Sequence, residues 1–183
     1  MNQVATENAE FRKNLFVETG ARMKIPAAFV EKDFWVCWTL GLLFGDSSLK
    51  EHLIFKGGTS LSKVFGIIIR FSEDIDLTVD RRLFGFGDEL NPNNAPSNKK
   101  RKKLVKDMVE ASRTYIQGAL QTMLNQAIDD ILSASSNLDW DIQIDPDVKD
   151  GQSLLFHYPL CGLDYGDDIV SELQSLEQKI NSL

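Results

Sequence analysis

The strongest constraint on the fold is a segment in which a short apolar run meets two adjacent glycines and an alternating run follows. The short, mainly apolar run His52–Phe55 predicts a strand, and Lys56–Ser60 after it predicts a tight glycine turn that leads into a helix starting near Ser60. Polar and apolar residues alternate in Asp74–Val79, which is typical of a strand buried on one face. These strands lie among longer helical segments, so we expect an α+β fold with a small mixed sheet.

Helical periodicity precedes and follows this segment. One helix is predicted from Thr6 to Met23, and a second from Pro26 to Leu43. A long helical pattern runs over Lys99–Leu132, with Gly118 weakening its middle. The sheet is therefore expected to be flanked by N-terminal helices and by one long helix.

The last third of the chain predicts a hairpin and a tail helix. Trp140, Ile142 and Ile144 alternate with polar residues, and Ser153–Tyr158 gives a further strand after a turn. Asp167–Ile180 predicts a short amphipathic helix. We expect one domain over residues 1–183, made of a helical layer (1–45), a core sheet with the long helix (50–160) and a tail helix (161–183).

Composition narrows the class of protein. Lys+Arg number 20 and Asp+Glu 27, a formal net charge of −7, which argues against a general polyanion binder. No apolar run reaches the ~18 residues of a membrane span, and no apolar segment of a signal peptide opens the chain. Cys37 and Cys161 are too few for a disulfide framework, so we expect a cytoplasmic protein without a membrane partner. Together with His52 and His157 they do not form a zinc spacing.

The glycine turn and the acidic strand both suggest phosphate chemistry. Backbone N–H groups at such a turn can receive phosphate oxygens, although the turn can equally be a tight connection with Thr59 or Ser60 as a helix cap. Asp74 and Asp76 fall on the same face of the predicted strand, where their repulsion is relieved by a divalent cation. Such a pair of acids can also simply belong to the solvated outer face of a strand. A glycine turn followed by two acids on a strand indicates a phosphate and metal site more specifically than either feature alone.

These two segments carry a resemblance to a known family. Phe55–Leu61 followed by Arg70–Leu77 resembles the AbiEii/AbiGii toxin nucleotidyltransferases, members of the DNA polymerase β-like superfamily. Glu31-Lys32-Asp33 and the segment Asp139–Pro159 are also similar to that family, so the resemblance covers roughly residues 25–159.

The resemblance implies a metal-dependent transfer of a nucleotide from an NTP to an acceptor such as tRNA, in a type IV toxin–antitoxin or abortive-infection system. It implies that Asp74 and Asp76 bind two Mg²⁺ ions, one lowering the pKa of the acceptor hydroxyl and the other stabilising the α-phosphate and pyrophosphate. It also implies a nucleotide-binding set of Gly57, Gly58, Thr59, Ser60 and Arg70, with Arg70 alternatively a surface arginine paired with Glu73 or Asp74. A cognate antitoxin protein is the partner implied.

The chain departs from the family pattern after Pro159. A third carboxylate is expected on a later strand, but the residues after Pro159 predict no strand with an acid, and Asp141 or Asp145 is the available substitute. The chain thus looks C-terminally short. Two alternatives stay open: a catalytically inactive nucleotide- or RNA-binding module or truncated toxin remnant, and an interaction protein whose acidic face binds a basic partner.

A basic run opens the long helix. Because positive charge opposes the dipole at a helix start, RNA phosphate would compensate it, although a solvated helix end is the alternative. The possible RNA contacts are Lys99, Lys100, Arg101, Lys102 and Lys103.

Overall fold

The computed structural model describes residues 1–45, 50–64, 74–133, 138–163 and 177–182. Its helices are α1 (Asn2–Ala5), α2 (Ala9–Met23), α3 (Ala27–Gly45), α4 (Gly57–Lys63), α5 (Asn98–Tyr115) and α6 (Gln121–Leu132). Its strands are β1 (Leu53–Lys56), β2 (Ile75–Val79), β3 (Asp141–Ile144), β4 (Ser153–His157) and β5 (Glu177–Ser182). The predicted α+β class is confirmed.

The described strands form one mixed sheet in the order β1-β2-β5-β4-β3. β2 pairs with β5 in parallel, and the other neighbours are antiparallel. The predicted hairpin is confirmed, since Asp141 pairs with His157 and Ile144 with Leu154. β2 therefore has a partner on both sides, with β1 on one side and β5 on the other.

One face of the sheet is covered by α3 and α6. Ile75 and Leu77 of β2 are fully buried, and they join one apolar cluster with Trp35 of α3 and Leu124 of α6. Trp35 stacks on Tyr158 with ring centroids 5.4 Å apart, which fixes α3 against the segment that follows β4. The polar residues of β2 are therefore left on the opposite face.

Buried hydrogen bonds connect the N-terminal helices to the segment that follows β4. The Arg12 guanidinium is buried, and it donates to the carbonyls of Ala5 (3.1 Å), Glu7 (3.0 Å) and Pro159 (3.1 Å). Burial lowers the pKa of Arg12 and raises the pKa of the Cys161 thiol to about 12, the latter helped by Glu31. The layer formed by α1–α3 thus meets the chain around residues 159–161.

The long helical pattern is confirmed, with a change of geometry at its centre. Between α5 and α6, Ile116–Leu120 forms a π-helical turn that contains Gly118. The helix predicted over Thr6–Met23 is confirmed as α2, which begins at Ala9 because the Asn8 side chain caps it by accepting from the Phe11 N–H. The short helix α1 (Asn2–Ala5) lies before the predicted range.

The predicted tail helix is wrong where the structure describes it. Residues 177–180, placed at the end of that helix, belong to β5 instead, and residues 167–176 of the prediction lie outside the described residues. The amphipathic pattern is short, and pairing with β2 and β4 outweighs a weak helical preference.

Candidate active site

The start of α4 lies directly against the acidic strand. Gly57 has a φ of +75°, and a Cβ placed on it would lie 2.0 Å from the Asp76 carboxylate Oδ2. A glycine satisfies both conditions, because it adopts positive φ without strain and leaves room for the carboxylate. The glycine turn and Asp76, which are nineteen positions apart in the sequence, are thus adjacent in space.

The helix begins earlier than the sequence predicts, and its hydroxyls are engaged differently. α4 starts at Gly57, with Lys56 as the N-cap residue and no side-chain cap bond, so neither Thr59 nor Ser60 caps it. Thr59 is buried and donates its hydroxyl to the Asp74 carbonyl at 2.5 Å. Ser60 is also buried. Thr59 therefore connects α4 to the residue that precedes β2.

The alternation predicted for β2 is confirmed in the burial pattern. Ile75, Leu77 and Val79 are buried, whereas Asp76 and Thr78 are partly exposed. Asp74 lies one residue before the strand and is also partly exposed. Both carboxylate residues are thus placed outside the core, at the end of β2 that adjoins α4.

Lys56 is a candidate site residue that the sequence reasoning missed. It stands directly across from Asp76 in the antiparallel register of β1 and β2 and is partly exposed. The Cβ atoms of residues at such positions are about 5 Å apart, so the Lys56 side chain is long enough to bring its ammonium group to the Asp76 carboxylate. The spacing of residues in the sequence does not give the register of two strands separated by a helix, so it does not predict that Lys56 lies opposite Asp76.

The helix carrying Glu31-Lys32-Asp33 contacts two parts of this region. Asp33 forms an ion pair with Lys63 at the end of α4. Glu31 is buried and accepts from the backbone N–H of Cys161 at 2.9 Å. Lys32, between them, is also buried. This short motif therefore positions α4 and the segment after β4 relative to one helix.

The two carboxylates considered as a third acid are not brought to β2. Asp141 lies on the edge strand β3, where its carboxylate faces His157 at 3.7 Å, and Asp145 is buried just beyond that strand. β5 and β4 separate β3 from β2, a distance of about 14 Å at the usual strand spacing. The strand beside β2 is β5, which the sequence reasoning did not foresee and whose first residue is Glu177.

A cavity of about 490 Å³ lies at the other end of β2, between the strand ends and α5. Thr78 forms part of its wall, together with Phe84 and Val109. Thr78 lies two residues after Asp76 and on the same face of β2. Arg82 lines the cavity as well, and its Nε donates to the Asp80 carboxylate at 2.7 Å. This bond holds the pKa of Asp80 well below its usual range, at about 2.

The basic run forms the exposed first turns of α5. The Ser97 side chain caps the helix by accepting from the Lys100 N–H at 3.3 Å. A depression of about 420 Å³ adjoins this start and is lined by Asn98, Arg101, Lys102 and Val105. The five basic residues of the run are exposed: Lys99, Lys100, Arg101, Lys102, Lys103. Exposure is expected both for a solvated helix end and for an RNA contact, so it does not distinguish the two.

Arg70, a possible metal cluster and a possible membrane span remain to be located in the structure. Arg70 lies outside the described residues. Within them, no group of three or more His, Cys, Asp and Glu is placed to hold a metal ion. Among the helices that the structure describes, none has the length and apolar character needed to cross a membrane.

Comparison with known proteins gives one family match. A family model described as "Nucleotidyl transferase AbiEii toxin, Type IV TA system" matches residues 41–173, which is more than half of the chain. The matched range includes β1, α4, β2, α5, α6 and the β3–β4 hairpin, and it begins within α3. Comparisons with curated proteins and with solved structures give no match.

Proposed function

This chain belongs to the AbiEii family of nucleotidyl transferase toxins of type IV toxin–antitoxin systems, and from that premise we propose how it acts. It transfers a nucleotide from an NTP to an acceptor hydroxyl, with release of pyrophosphate, at the site formed by the start of α4 and the acidic end of β2. Members of such a family in general use an NTP and a divalent metal. The acceptor proposed is an RNA such as tRNA, and the partner proposed is a cognate antitoxin.

The observation that carries the proposal is the contact between Gly57 and Asp76. The absence of a side chain at Gly57 lets the carboxylate approach the backbone of the helix start. Backbone N–H groups suited to phosphate oxygens and a carboxylate suited to a metal therefore lie side by side. This is the arrangement that an NTP with a bound divalent cation requires.

The residues present fit Mg²⁺ in the manner usual for phosphoryl-transfer sites. Mg²⁺ is commonly held by one or two carboxylates together with substrate phosphates, rather than by a cage of protein ligands. Asp74 and Asp76, both partly exposed at one end of β2, would supply those carboxylates. When bound, the ion neutralises phosphate charge and activates the attacking hydroxyl.

The surrounding residues of the chain have their own roles in this proposal. Lys56, across from Asp76, offsets the negative charge of the phosphates near the two acids. Thr59 holds the Asp74 backbone in place through its hydroxyl. The Asp33–Lys63 ion pair keeps α4 oriented against α3. Gly58 contributes a backbone N–H group from the open first turn of α4, whereas the N–H of Ser60 falls at the position that closes that turn onto Lys56.

The test is transfer of label from radioactive NTPs to total tRNA in the presence of Mg²⁺. We expect transfer by the unaltered protein, loss of transfer with EDTA, and a loss of at least a hundredfold in Asp76→Asn. Asp107→Asn removes an exposed carboxylate from α5 and serves as the matched control. Transfer that is unchanged in Asp76→Asn would contradict the proposed site.

A non-catalytic binding module is the second candidate. It is favoured by the placement of Asp141 and Asp145 away from β2, which leaves two carboxylates at the described site. Calorimetry that detects binding of Mg²⁺ and NTP, with no transfer to any RNA, would select this candidate. Measurable turnover would exclude it.

The proposed compartment is the cytoplasm, on the basis of the composition. Cys37 and Cys161 are both free thiols in the structure. A fractionation of cells that produce the protein would test this expectation.

A further inference from the structure

Two depressions follow one face of α5. The first, at the basic start of the helix, is lined by Asn98, Arg101, Lys102 and Val105. The second is the 490 Å³ cavity, to which α5 contributes Met108, Val109 and Ser112. At 100° per residue these seven positions all fall within a sector of about 120°, so the two depressions share one helix face. We refer to this face with its two depressions as the α5 groove.

The groove changes in character along its length. Its first end carries Arg101 and Lys102, both exposed. Its far end is walled by Phe84, Val109 and Ile54. The polar and charged groups around this wall include Ser112, Gln152, Glu51 and the Asp80–Arg82 ion pair. Cations at one end suit phosphates, and an aromatic and aliphatic wall with a few polar groups suits a flat nucleobase.

The far end of the groove approaches the proposed site. Thr78 and Ile54 form part of the cavity wall, and they are paired with each other across β1 and β2. This pair lies on the same face of the sheet as the Asp76–Lys56 pair, two residues away along each strand. That separation corresponds to about 7 Å along the strand. A terminal nucleoside in the cavity would thus have its ribose near Asp76.

We propose that the α5 groove binds the single-stranded end of a polynucleotide acceptor, with the terminal base in the cavity and the backbone along Arg101 and Lys102. The inference rests on the function proposed above and names the site of its acceptor. From Asn98 to Ser112 the groove is about 21 Å long, enough for about six stacked nucleotides. A single strand is required because a base must enter the cavity unpaired.

The position of Asp76 separates this occupant from the incoming NTP. Gly57 and the start of α4 contact Asp76 from one side, whereas the cavity begins on the other side, at Thr78. The NTP phosphates are therefore assigned to α4, and the acceptor to the cavity. The position of the cavity and the basic depression on one face of α5 supports the same division, because a mononucleotide does not extend over both.

The chain offers a charge-matched test of the groove. Arg101 and Lys102 lie on the groove face, whereas Lys100 and Lys103 lie on the opposite side of α5. Binding of a fluorescent six-nucleotide RNA is measured by anisotropy for Arg101→Ala/Lys102→Ala and for Lys100→Ala/Lys103→Ala. We expect about tenfold weaker binding and a salt dependence smaller by about 1.4 in the first pair, with a much smaller change in the control pair. Equal losses in both pairs would overturn the groove.

A second variant examines the cavity without changing charge. Val109→Trp fills the cavity from a partly exposed helix position, and circular dichroism verifies that it folds. An oligonucleotide with 4-thiouridine at its 3′ end is expected to crosslink to peptides containing Phe84 or Met108 in the unaltered protein, and at least fivefold less in the variant. Crosslinking elsewhere, or unchanged crosslinking in the variant, would overturn the assignment of the terminal base.

The acceptor class and the proposed function are separated by further arms. DNA of the same sequence distinguishes an RNA acceptor from any single strand, and a blunt RNA duplex is expected to bind at least tenfold more weakly. Binding of Mg²⁺ and NTP is measured by calorimetry on the same proteins. If NTP binding is absent while the oligonucleotide follows the pattern above, the proposed function fails and the groove stands. If NTP binds while both double variants lose RNA equally, the groove alone fails.

Discussion

Gly57 combines two demands on a single residue, a positive φ and a carboxylate where its side chain would be. We predict that Gly57→Ala destabilises the fold by about 2 kcal/mol, because a left-handed conformation of a non-glycine residue and a displaced Asp76 both cost free energy. Label transfer is expected to fall at least tenfold. Urea denaturation and the transfer assay measure the two effects.

Gly41 provides the matched control for this substitution. It lies within α3, and a Cβ there would meet nothing within 4 Å. Gly41→Ala should stabilise the protein by about 0.5–1 kcal/mol, since alanine loses less backbone entropy in a helix. An equal loss of stability in the two variants would show that Gly57 has no special position.

We propose that Thr59 positions Asp74 rather than binding a ligand, because its hydroxyl donates to the Asp74 carbonyl. Thr59→Val keeps the side-chain shape but removes the bond to the Asp74 carbonyl, whereas Thr59→Ser keeps the bond and removes a buried methyl group. Each variant should lose about 1 kcal/mol of stability. We predict that Thr59→Val raises the KM for Mg²⁺·NTP several-fold, whereas Thr59→Ser leaves this KM nearly unchanged. Equal KM values in the two variants would contradict a positioning role.

Asp80 provides a pH-dependent prediction. Hydrogen bonds from the Arg82 side chain and backbone lower the pKa of Asp80 from 3.8 to about 2. Since the folded-state pKa lies below the unfolded one, the stabilisation is fully present above about pH 4 and is lost as the pH falls towards 2. Carbon-detected NMR titration should give a midpoint near 2 for this carboxyl.

Variants of the neighbouring arginines check the cause of this shift. Arg82→Ala removes the guanidinium but retains the backbone N–H that donates to Asp80 at 2.9 Å, so the midpoint should rise only part of the way towards 3.8. Arg81→Ala should leave it unchanged. A midpoint that does not move in Arg82→Ala would rule out the side-chain bond as its cause.

At the scale of elements, the buried guanidinium of Arg12 connects the N-terminal layer to the segment after β4. Arg12→Ala leaves the carbonyls of Ala5, Glu7 and Pro159 without this donor and opens a space beside Trp35. We predict a loss of about 3 kcal/mol in the free energy of unfolding. Arg22→Ala, which breaks an exposed pair with Glu18 on the same helix, should cost less than about 0.5 kcal/mol. Comparable losses would show that the layer is held by apolar contacts instead.

Local patterns predicted most of the individual elements. The alternation of Asp74–Val79 correctly placed Ile75 and Leu77 in the core, because one buried face imposes a period of two. The helical period over Lys99–Leu132 was correct because a long amphipathic pattern leaves little alternative. These signals are local, and each is contained within one element.

What the sequence did not predict depends on pairing between distant segments. The tail pattern predicts helix over residues 177–180, but these residues belong to β5, whose partners β2 and β4 are both distant from it in the chain. Lys56 was missed for the same reason, since its place beside Asp76 follows from strand register. The convergence of the glycine turn and the acids was expected from a family resemblance, and the contact between Gly57 and Asp76 is a property of the fold.

At the scale of the whole molecule, β5 joins the two halves of the sheet. Its residue Ile180 pairs with Ile75 on one side and with Leu154 on the other. We predict that Ile180→Pro destabilises the protein by at least about 3 kcal/mol, because proline removes a ladder N–H and restricts the backbone in a central strand. Thermal unfolding followed by circular dichroism measures the loss.

A β-branched replacement serves as the control at this position. Ile180→Val retains the backbone N–H and should cost no more than about 1.5 kcal/mol. If the proline variant unfolds at the same temperature as the valine variant, β5 does not hold the sheet together.

The central place of β5 has a consequence for synthesis on the ribosome. Val79 ends β2 and Glu177 begins β5, so about 100 residues separate two strands that lie side by side. At about 5–20 residues per second, the growing chain carries β2 with one open edge for roughly 5–20 seconds before its neighbour emerges. A nascent toxin would therefore hold its acidic strand incomplete, and open to pairing with other chains, during much of its own translation.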